Sequence, residues 1–314
     1  MGYTFKKITF PRKKTEIQKA APEALVLRKL RAFLDVKEPE LVYFLLNLWK
    51  AQGKAITYKE LREAILAGEI SSELIDEWMQ DYTKFVSEHL YPRWIEAMEA
   101  AVEDIRQKYP EWYFDPMGDG VQDWVENRGA QFVTNVTGSQ VQGLRAIVHR
   151  AAVLEDINVD TLARAIRPMV GLYWQQSVAN MNYFESLIKN GTHEKRALDL
   201  ATRYAARQHR YRGYLIARTE LGFAFNQGSY EGIKQAQQAG YMGEVVKIWC
   251  TAEDERQCSA CHALDGKTIA MDEDFDFKTK LSTLQNPTIK RVPPAHPGCR
   301  CTVMYEEIAP PKMK

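Results

Sequence analysis

The sequence has no long apolar run, and its net charge is only +1. Because a membrane-spanning helix needs about 20 consecutive apolar residues, we expect no membrane segment. A charge this close to zero does not by itself indicate a polyanionic partner. The opening residues, MGYTFKKITFPRKK, also lack the apolar stretch of a secretory signal peptide. We therefore expect a reducing cytosol, where clustered cysteines bind metals more often than they form disulfides.

Several catalytic and nucleotide-binding motifs are also missing. The sequence contains no P-loop, no GxGxxG and no GxSxG. The zinc-protease motif HExxH does not occur, and Gln257 stands where the deaminase motif PCxxC requires proline. These absences exclude the common motif-bearing classes of nucleotide-binding proteins, serine hydrolases and zinc proteases. We therefore expect that the protein is not an enzyme.

What the sequence does contain is helical apolar spacing over most of its length. This spacing predicts separate helices over residues 24–34 and 39–51, with Pro39 in the first turn of the second. A longer pattern over residues 72–108 predicts an amphipathic helix that Pro92 bends or splits.

Capping patterns mark further helix ends. The segments TYKE (57–60) and TGSQ (137–140) both fit the capping box, in which a threonine side chain and a Glu or Gln three residues later satisfy each other's backbone amides. Asn158 or Asp160 is a candidate cap for another helix. A last long pattern over residues 192–239 ends at Gly240, a residue type that favours helix termination.

The residue composition of the sequence changes after Gly240. β-Branched and aromatic residues predict a strand over Glu244–Thr251 and shorter strands over Lys267–Ala270 and Thr302–Tyr305. The polar segments between them are typical of a small module stabilised by a metal. We predict a mainly α-helical fold whose long helices are followed by a small α+β C-terminal module of short strands and loops. The predicted domains are a basic N-terminal arm (1–22), an N-terminal helical region (23–108), a central helical part (109–240) and a zinc-binding module (241–314).

Two cysteine clusters near the C-terminal end have the spacing of zinc ligands. Cys258 and Cys261 form a CxxC pair, and a later HxxCxC cluster supplies His296, Cys299 and Cys301. Structural zinc takes four Cys or His ligands in a tetrahedron, so five candidates compete for four places. Three cysteines, at 258, 261 and 299, are the first choices. The fourth ligand is His296, which mirrors the spacing of the first pair, or Cys301. We expect a structural Zn²⁺ ion.

Basic residues concentrate in two places. Residues 1–20 carry six lysines and arginines against one glutamate, and residues 203–218 place arginines and tyrosines along one helix. Either could contact phosphate groups, but each could equally be solvated, with the helical arginines paired to acids. The candidates for nucleic-acid contact are Lys6, Lys7, Arg12, Lys13, Lys14, Arg203, Arg207 and Arg210.

Three segments resemble a known family. RTELGFAFNQG (218–228), DERQCSACHALDGK (254–267) and PPAHPGCRCTV (293–303) are similar to the phage Mu F-like minor head proteins, also called the phage head morphogenesis domain. Residues 1–107 carry no motif that matches. Besides the cysteines and the histidine, the residues that match the family pattern by position are Arg218, Glu220, Asn226, Gly228, Asp254, Leu264, Asp265 and Gly266.

The resemblance implies a minor capsid or head morphogenesis protein of a tailed phage or prophage. Such a protein associates with the portal protein inside the head, near the portal, and aids assembly or genome delivery; during assembly it is in the host cytoplasm. Packaged DNA, scaffold and major capsid protein are further implied partners. The alternative function is a metal-dependent hydrolase or nuclease acting on nucleic acid, which would need an open metal position and a general base.

Overall fold

The computed structural model describes residues 21–154, 156–252, 257–276 and 289–311. Helices dominate the described chain, and a three-stranded antiparallel sheet lies near its C-terminal end. The predicted fold class, mainly α-helical with a small α+β module, is therefore confirmed. Among the described residues, no helix combines the length and the apolar character needed to cross a membrane.

Ten α-helices and five strands are assigned in the described residues. The helices are α1 (Ala21–Ala55), α2 (Tyr58–Ala67), α3 (Ser72–Phe85), α4 (Tyr91–Ala101), α5 (Glu103–Lys108), α6 (Asp119–Ala152), α7 (Val159–Ile166), α8 (Trp174–Lys189), α9 (Glu194–Gln238) and α10 (Ser259–Leu264). The strands are β1 (Glu244–Cys250), β2 (Thr268–Ala270), β3 (Phe275–Asp276), β4 (Ile289–Lys290) and β5 (Thr302–Ala309).

Several predicted helix ends are confirmed. Thr57 and Glu60 form a complete capping box at the start of α2, with Thr57 N donating to Glu60 Oε2 at 2.6 Å and Glu60 N donating to Thr57 Oγ1 at 3.2 Å. Asn158 caps α7 by accepting from the amide of Asp160. Gly240 follows α9 with a φ of 81°, a left-handed conformation that glycine adopts readily.

Two predicted helix starts are wrong. α1 runs through Pro39 without a break. Leu34 and Leu41 on either side of Pro39 are both buried on one stripe, so apolar burial outweighs the cost of about 3 kcal/mol that proline imposes inside a helix. Thr137 does not begin a helix either, because it lies buried inside α6, where apolar residues such as Phe132 continue the buried face.

Pro92 perturbs its helix in a way that agrees with the prediction. A single π-helical turn, Val86–Leu90, separates α3 from α4, and the Tyr91 amide donates to the carbonyl of Val86. Proline lacks an amide hydrogen and crowds the carbonyl four residues before it. A wider turn just before Pro92 relieves that crowding.

The described chain divides into two compact units. The first unit contains residues up to Glu40, then Arg93–Asp123 and everything from Leu215 onward. The second contains Leu41–Pro92 and Trp124–Tyr214. The domain limits predicted from the sequence stay a prediction.

The second unit is an apolar helical core with a buried polar chain inside it. The Tyr82 hydroxyl accepts a hydrogen bond from Trp49 Nε1 at 2.9 Å and donates to Gln140 Oε1. The amide of Gln140 in turn donates to Gln52 Oε1 at 3.2 Å. The core around the shorter helices includes Ile56, Leu61, Leu144, Ile147, Val148, Leu162, Ile166, Met181 and Phe184.

The first unit contains the sheet, in the order β2–β1–β5, with all neighbours antiparallel. Lys247 in the central strand β1 is fully buried, and its Nζ lies 5.5 Å from the ring centroids of both Tyr230 and Phe275. Burial lowers the pKa of the Lys247 ammonium to about 8. Helix α9 approaches α4 closely, since a Cβ on Gly228 would lie 2.2 Å from Met98 Cα. Only glycine fits at that position.

Candidate metal centre

The first half of the candidate metal cluster is the CxxC turn, which follows strand β1 in the sequence. Cys258 is the N-cap of the short helix α10, and its Sγ accepts a hydrogen bond from the Cys261 amide at 3.3 Å. The single turn between the two cysteines brings both sulfurs to the same side, as the CxxC spacing predicted.

Asp265 and Gly266 hold this half of the cluster against the sheet. Asp265 Oδ1 accepts from the Thr251 amide at 2.9 Å, and the Gly266 amide donates to the Trp249 carbonyl at 2.8 Å. Gly266 has a φ of 72°, which favours glycine. These two residues of the predicted family motif therefore fix the position of the CxxC turn. Asp254, another predicted motif residue in this region, lies outside the described residues.

The second half of the cluster is a tight turn that docks on helix α9. The Cys299 amide donates to the His296 carbonyl at 3.1 Å, and the turn passes through Gly298 with a φ of 74°. The Gly298 amide donates to Thr219 Oγ1 on α9 at 2.9 Å, and a Cβ at this glycine would lie 2.8 Å from Leu215 Cδ1. The left-handed backbone conformation therefore favours glycine at this position, and any other residue would also have to displace the Leu215 side chain.

The two halves bring the five predicted donors together. Cys258, Cys261 and His296 have ligand atoms within 4.8 Å of one another, and so do Cys261, Cys299 and Cys301. Cys261 belongs to both groups. The predicted ligand set is therefore one cluster, although which four residues bind stays a prediction.

The distances within the cluster fit a tetrahedral metal ion. His296 Nε2 lies 3.2 Å from Cys258 Sγ and 3.4 Å from Cys261 Sγ, and Cys261 Sγ lies 3.8 Å from Cys299 Sγ. In a tetrahedral zinc site, with bonds of about 2.3 Å to sulfur and about 2.0 Å to nitrogen, neighbouring sulfurs are about 3.8 Å apart and sulfur and nitrogen about 3.5 Å. These three pairs of donor atoms therefore already have nearly the spacing that an ion would impose.

His296 is oriented as a metal ligand would be. Its Nδ1 lies 3.0 Å from the carbonyl oxygen of Pro297. Since a carbonyl can only accept, Nδ1 carries the proton and the lone pair of Nε2 points toward the sulfurs. Metal-binding histidines usually have their second nitrogen held in this way.

Burial makes the cluster sensitive to charge. Cys261, Cys299 and Cys301 are almost fully buried, whereas Cys258 and His296 are half-buried. Hydrogen bonds from Cys261 and then Cys301 lower the pKa of Cys299, and the hydrogen bond with Cys299 raises the pKa of Cys261. A divalent cation bound here would favour the thiolate form of these buried sulfurs.

Asn226, a predicted motif residue on α9, positions the start of β5. Its Oδ1 accepts from Thr302 Oγ1 at 2.8 Å and from the Val303 amide at 3.2 Å. Its Nδ2 donates to the Gly222 carbonyl at 2.8 Å and, more weakly, to the Cys301 carbonyl at 3.4 Å. One buried side chain therefore links α9 to the chain that carries the last two cysteines.

Arg218 forms a buried ion pair that the sequence did not reveal. Its Nε and one terminal nitrogen donate to the two carboxylate oxygens of Glu38 at 2.6 and 3.2 Å. Glu38 lies on α1 and is 1% exposed. Glu220, another residue of the predicted family motif on α9, is also buried. The buried Arg218–Glu38 pair and the buried Glu220 side chain therefore belong to the packed interior of the first unit.

The arginines proposed to contact nucleic acid lie on the other half of α9. Arg203 Nε is 3.1 Å from Asp199 Oδ1, an ion pair one helical turn apart, and Arg207 lies over the ring of Tyr204. Such contacts are typical of a solvated helix face. Nucleic-acid contact through Arg203, Arg207 and Arg210 stays a prediction. The basic residues Lys6, Lys7, Arg12, Lys13 and Lys14 lie outside the described residues.

Sequence reasoning did not identify three supporting residues. Glu38, Thr219 and Thr251 hold Arg218, the Gly298 turn and Asp265 respectively. A threonine or glutamate in a helix or at a strand end carries no local pattern that would mark it as a partner. Only the close approach of distant segments reveals these roles.

Comparison with known proteins identifies one relationship. Residues 150–304 match the family described as Phage Mu protein F like protein. The match includes α9, β1 and both halves of the cysteine cluster. No curated protein and no solved structure matches the chain significantly.

Proposed function

We propose that this chain, whose residues 150–304 match the family described as Phage Mu protein F like protein, acts as a minor head protein associated with the portal inside the head. The family indicates a phage head morphogenesis protein. Portal association and a role in genome delivery are the finer parts of the proposal. The family match is the observation that carries it.

The position of the match supports a structural role for the C-terminal module. The matched range contains the α9 residues that hold the module and the cysteine turns themselves. A module fixed to a long helix at several points is suited to be a rigid docking element. We propose that this module, with its metal, contacts a partner in the head.

We propose zinc as the metal. Thiolate and imidazole donors suit Zn²⁺, whereas Mg²⁺ and Ca²⁺ prefer oxygen ligands. Five protein donors are available for four positions, so protein side chains can close the coordination sphere. A closed sphere leaves no position for a reactive water, and this supports a structural ion and a non-enzymatic protein.

Prohead composition tests the proposed role. The gene is deleted from the phage or prophage that encodes it and complemented with the wild-type chain, with Cys261→Ser, or with Cys250→Ser. The last variant removes a buried thiol outside the cluster. We expect the wild type and Cys250→Ser to co-purify with portal protein in proheads, and Cys261→Ser to be depleted. A wild-type chain that is absent from proheads would overturn the proposal.

Purified protein tests the absence of enzymatic activity. Nuclease assays with Zn²⁺, Mg²⁺ or Mn²⁺ on single- and double-stranded DNA should show no cleavage above that of the Cys261→Ser variant. Cleavage that disappears on chelation and in this variant would instead establish a metal-dependent nuclease.

A further inference from the structure

The cluster offers one donor more than a tetrahedral ion can use. Cys258, Cys261 and His296 form one group of neighbouring ligand atoms, and Cys261, Cys299 and Cys301 form the other. An ion that binds the first group together with Cys299 leaves the Cys301 sulfur beside two of its ligands. A site that uses four ligands does not need this fifth donor.

The two candidates for the fourth position are held differently. His296 is half-buried at the outer side of the cluster, and its backbone lies in the Gly298 turn. Cys301 is 5% exposed, and its carbonyl and the next residue, Thr302, both contact Asn226. The thiol of Cys301 therefore stays near the ion whether or not the histidine binds.

We propose that Cys301 is a reserve ligand, which replaces His296 on the ion when the imidazole is withdrawn. This inference rests on the proposed metal site. In the resting state the ion binds Cys258, Cys261, His296 and Cys299. On exchange, the bond from the ion to Nε2 breaks and a bond to Cys301 Sγ forms. The thiol proton passes to the released imidazole or, where the imidazole is missing, to water, and no oxidation or reduction occurs.

The exchange gives the module tolerance to movement of its exposed loop. A partner that withdraws only the His296 imidazole would not release the ion, because the buried Cys301 sulfur completes the sphere. Cys261 is the donor common to both groups, so that without it neither group of three neighbouring ligand atoms remains among the described residues. Replacing side chains that look equivalent in the sequence should therefore change the zinc content to different degrees.

Full-length variants with matched controls test the reserve role. His296→Ala, Cys301→Ser, the double variant, Cys261→Ser and the control Cys250→Ser are purified without chelator, and zinc per chain is measured. We expect His296→Ala and Cys301→Ser each to retain zinc. The double variant and Cys261→Ser should lose it, while Cys250→Ser should match the wild type.

Cobalt substitution identifies the donors directly. Each thiolate adds to the sulfur-to-cobalt charge-transfer absorption, so a change from three sulfurs to four raises it by about a third. We expect three-sulfur spectra for the wild type and Cys301→Ser, and a four-sulfur spectrum for His296→Ala. The wild-type spectrum is informative even where a variant fails to fold, and circular dichroism identifies such failures.

The outcomes separate the reserve role from the metal site itself. A wild type without zinc would overturn both. If the wild type contains zinc but a folded His296→Ala chain contains as little zinc as Cys261→Ser, only the reserve role is overturned. A four-sulfur spectrum of the wild type would also overturn it, since Cys301 would then be a resident ligand.

Discussion

Replacing Asn226 with alanine tests how strand β5 and the last two cysteines are held on helix α9. The side chain is 1% exposed and makes three hydrogen bonds to the segment from Cys301 to Val303, besides one to its own helix. Alanine removes all of them and leaves the Val303 amide without its side-chain acceptor. The start of β5 should therefore open more easily.

The magnitude follows from the three contacts with the β5 segment. A buried hydrogen bond contributes about 0.5–1.5 kcal/mol net, and the contact with the Cys301 carbonyl at 3.4 Å is weak. We expect a loss of about 2–4 kcal/mol in the local free energy of opening. At about 1.4 kcal/mol for each factor of ten, amide exchange in β5 should accelerate roughly 30- to 700-fold.

Hydrogen–deuterium exchange followed by mass spectrometry measures this effect locally, which suits a chain with two compact units. The control is Thr302→Val, which removes one hydrogen bond and keeps the acceptor for Val303. It should accelerate exchange only about fivefold, corresponding to about 1 kcal/mol. Peptides from α2 and α7, both in the second unit, serve as the internal reference.

The reasoning would be refuted by an Asn226→Ala chain whose β5 peptides exchange as in the wild type or in Thr302→Val. Uniform acceleration in the reference peptides would also refute it, because the predicted effect is confined to the first unit. A larger loss of zinc in Asn226→Ala than in Thr302→Val should accompany the faster exchange.

Three further predictions concern single side chains. Glu38→Ala should destabilise α1 by about 3–5 kcal/mol, since it leaves the Arg218 guanidinium buried without its carboxylate. Glu40→Ala should cost less, because the Glu40 side chain is 44% exposed in its pair with Arg93. Amide exchange across α1 distinguishes the two. Gly298→Ala should weaken zinc binding by about tenfold, because a left-handed conformation costs a non-glycine residue about 1–2 kcal/mol. Competition with a chelating dye measures the zinc affinity. An unchanged affinity would contradict the claim that the left-handed turn at Gly298 positions the ligands. The pKa of Lys247 is about 8 in the folded chain against an ordinary 10.5. Between these pH values the unfolded chain binds more protons, so this group makes the free energy of unfolding rise with pH across that window. Lys247→Met should remove that rise from the pH profile of unfolding, and an unchanged profile would argue against the buried ammonium.

Local patterns predicted the elements whose cause is local. The Thr57 capping box and the strand after Gly240 follow from side chains within a few positions of each other, and both are confirmed. The same reasoning failed at Pro39 and Thr137, where burial of apolar residues along one helix face outweighed a local stop or start signal. At these two positions tertiary packing decides that the helix continues, and a short sequence pattern carries no information about that packing.

The candidate site was predictable to a similar degree. Cysteine and histidine spacing identified all five donors, because ligand chemistry is carried by the side chains themselves. The choice between His296 and Cys301 was not predictable, since it depends on side-chain directions around the Gly298 turn. Glu38 was missed for another reason: it meets Arg218 across 180 positions of sequence, and no local pattern marks such a pair.

Zinc content of the purified full-length chain tests the central claim most directly. Protein prepared without chelator should contain one zinc ion per chain by elemental analysis, and Cys261→Ser prepared in parallel should contain none. Wild-type protein that is folded by circular dichroism and holds no zinc, even after incubation with excess Zn²⁺ under reducing conditions, would contradict the account.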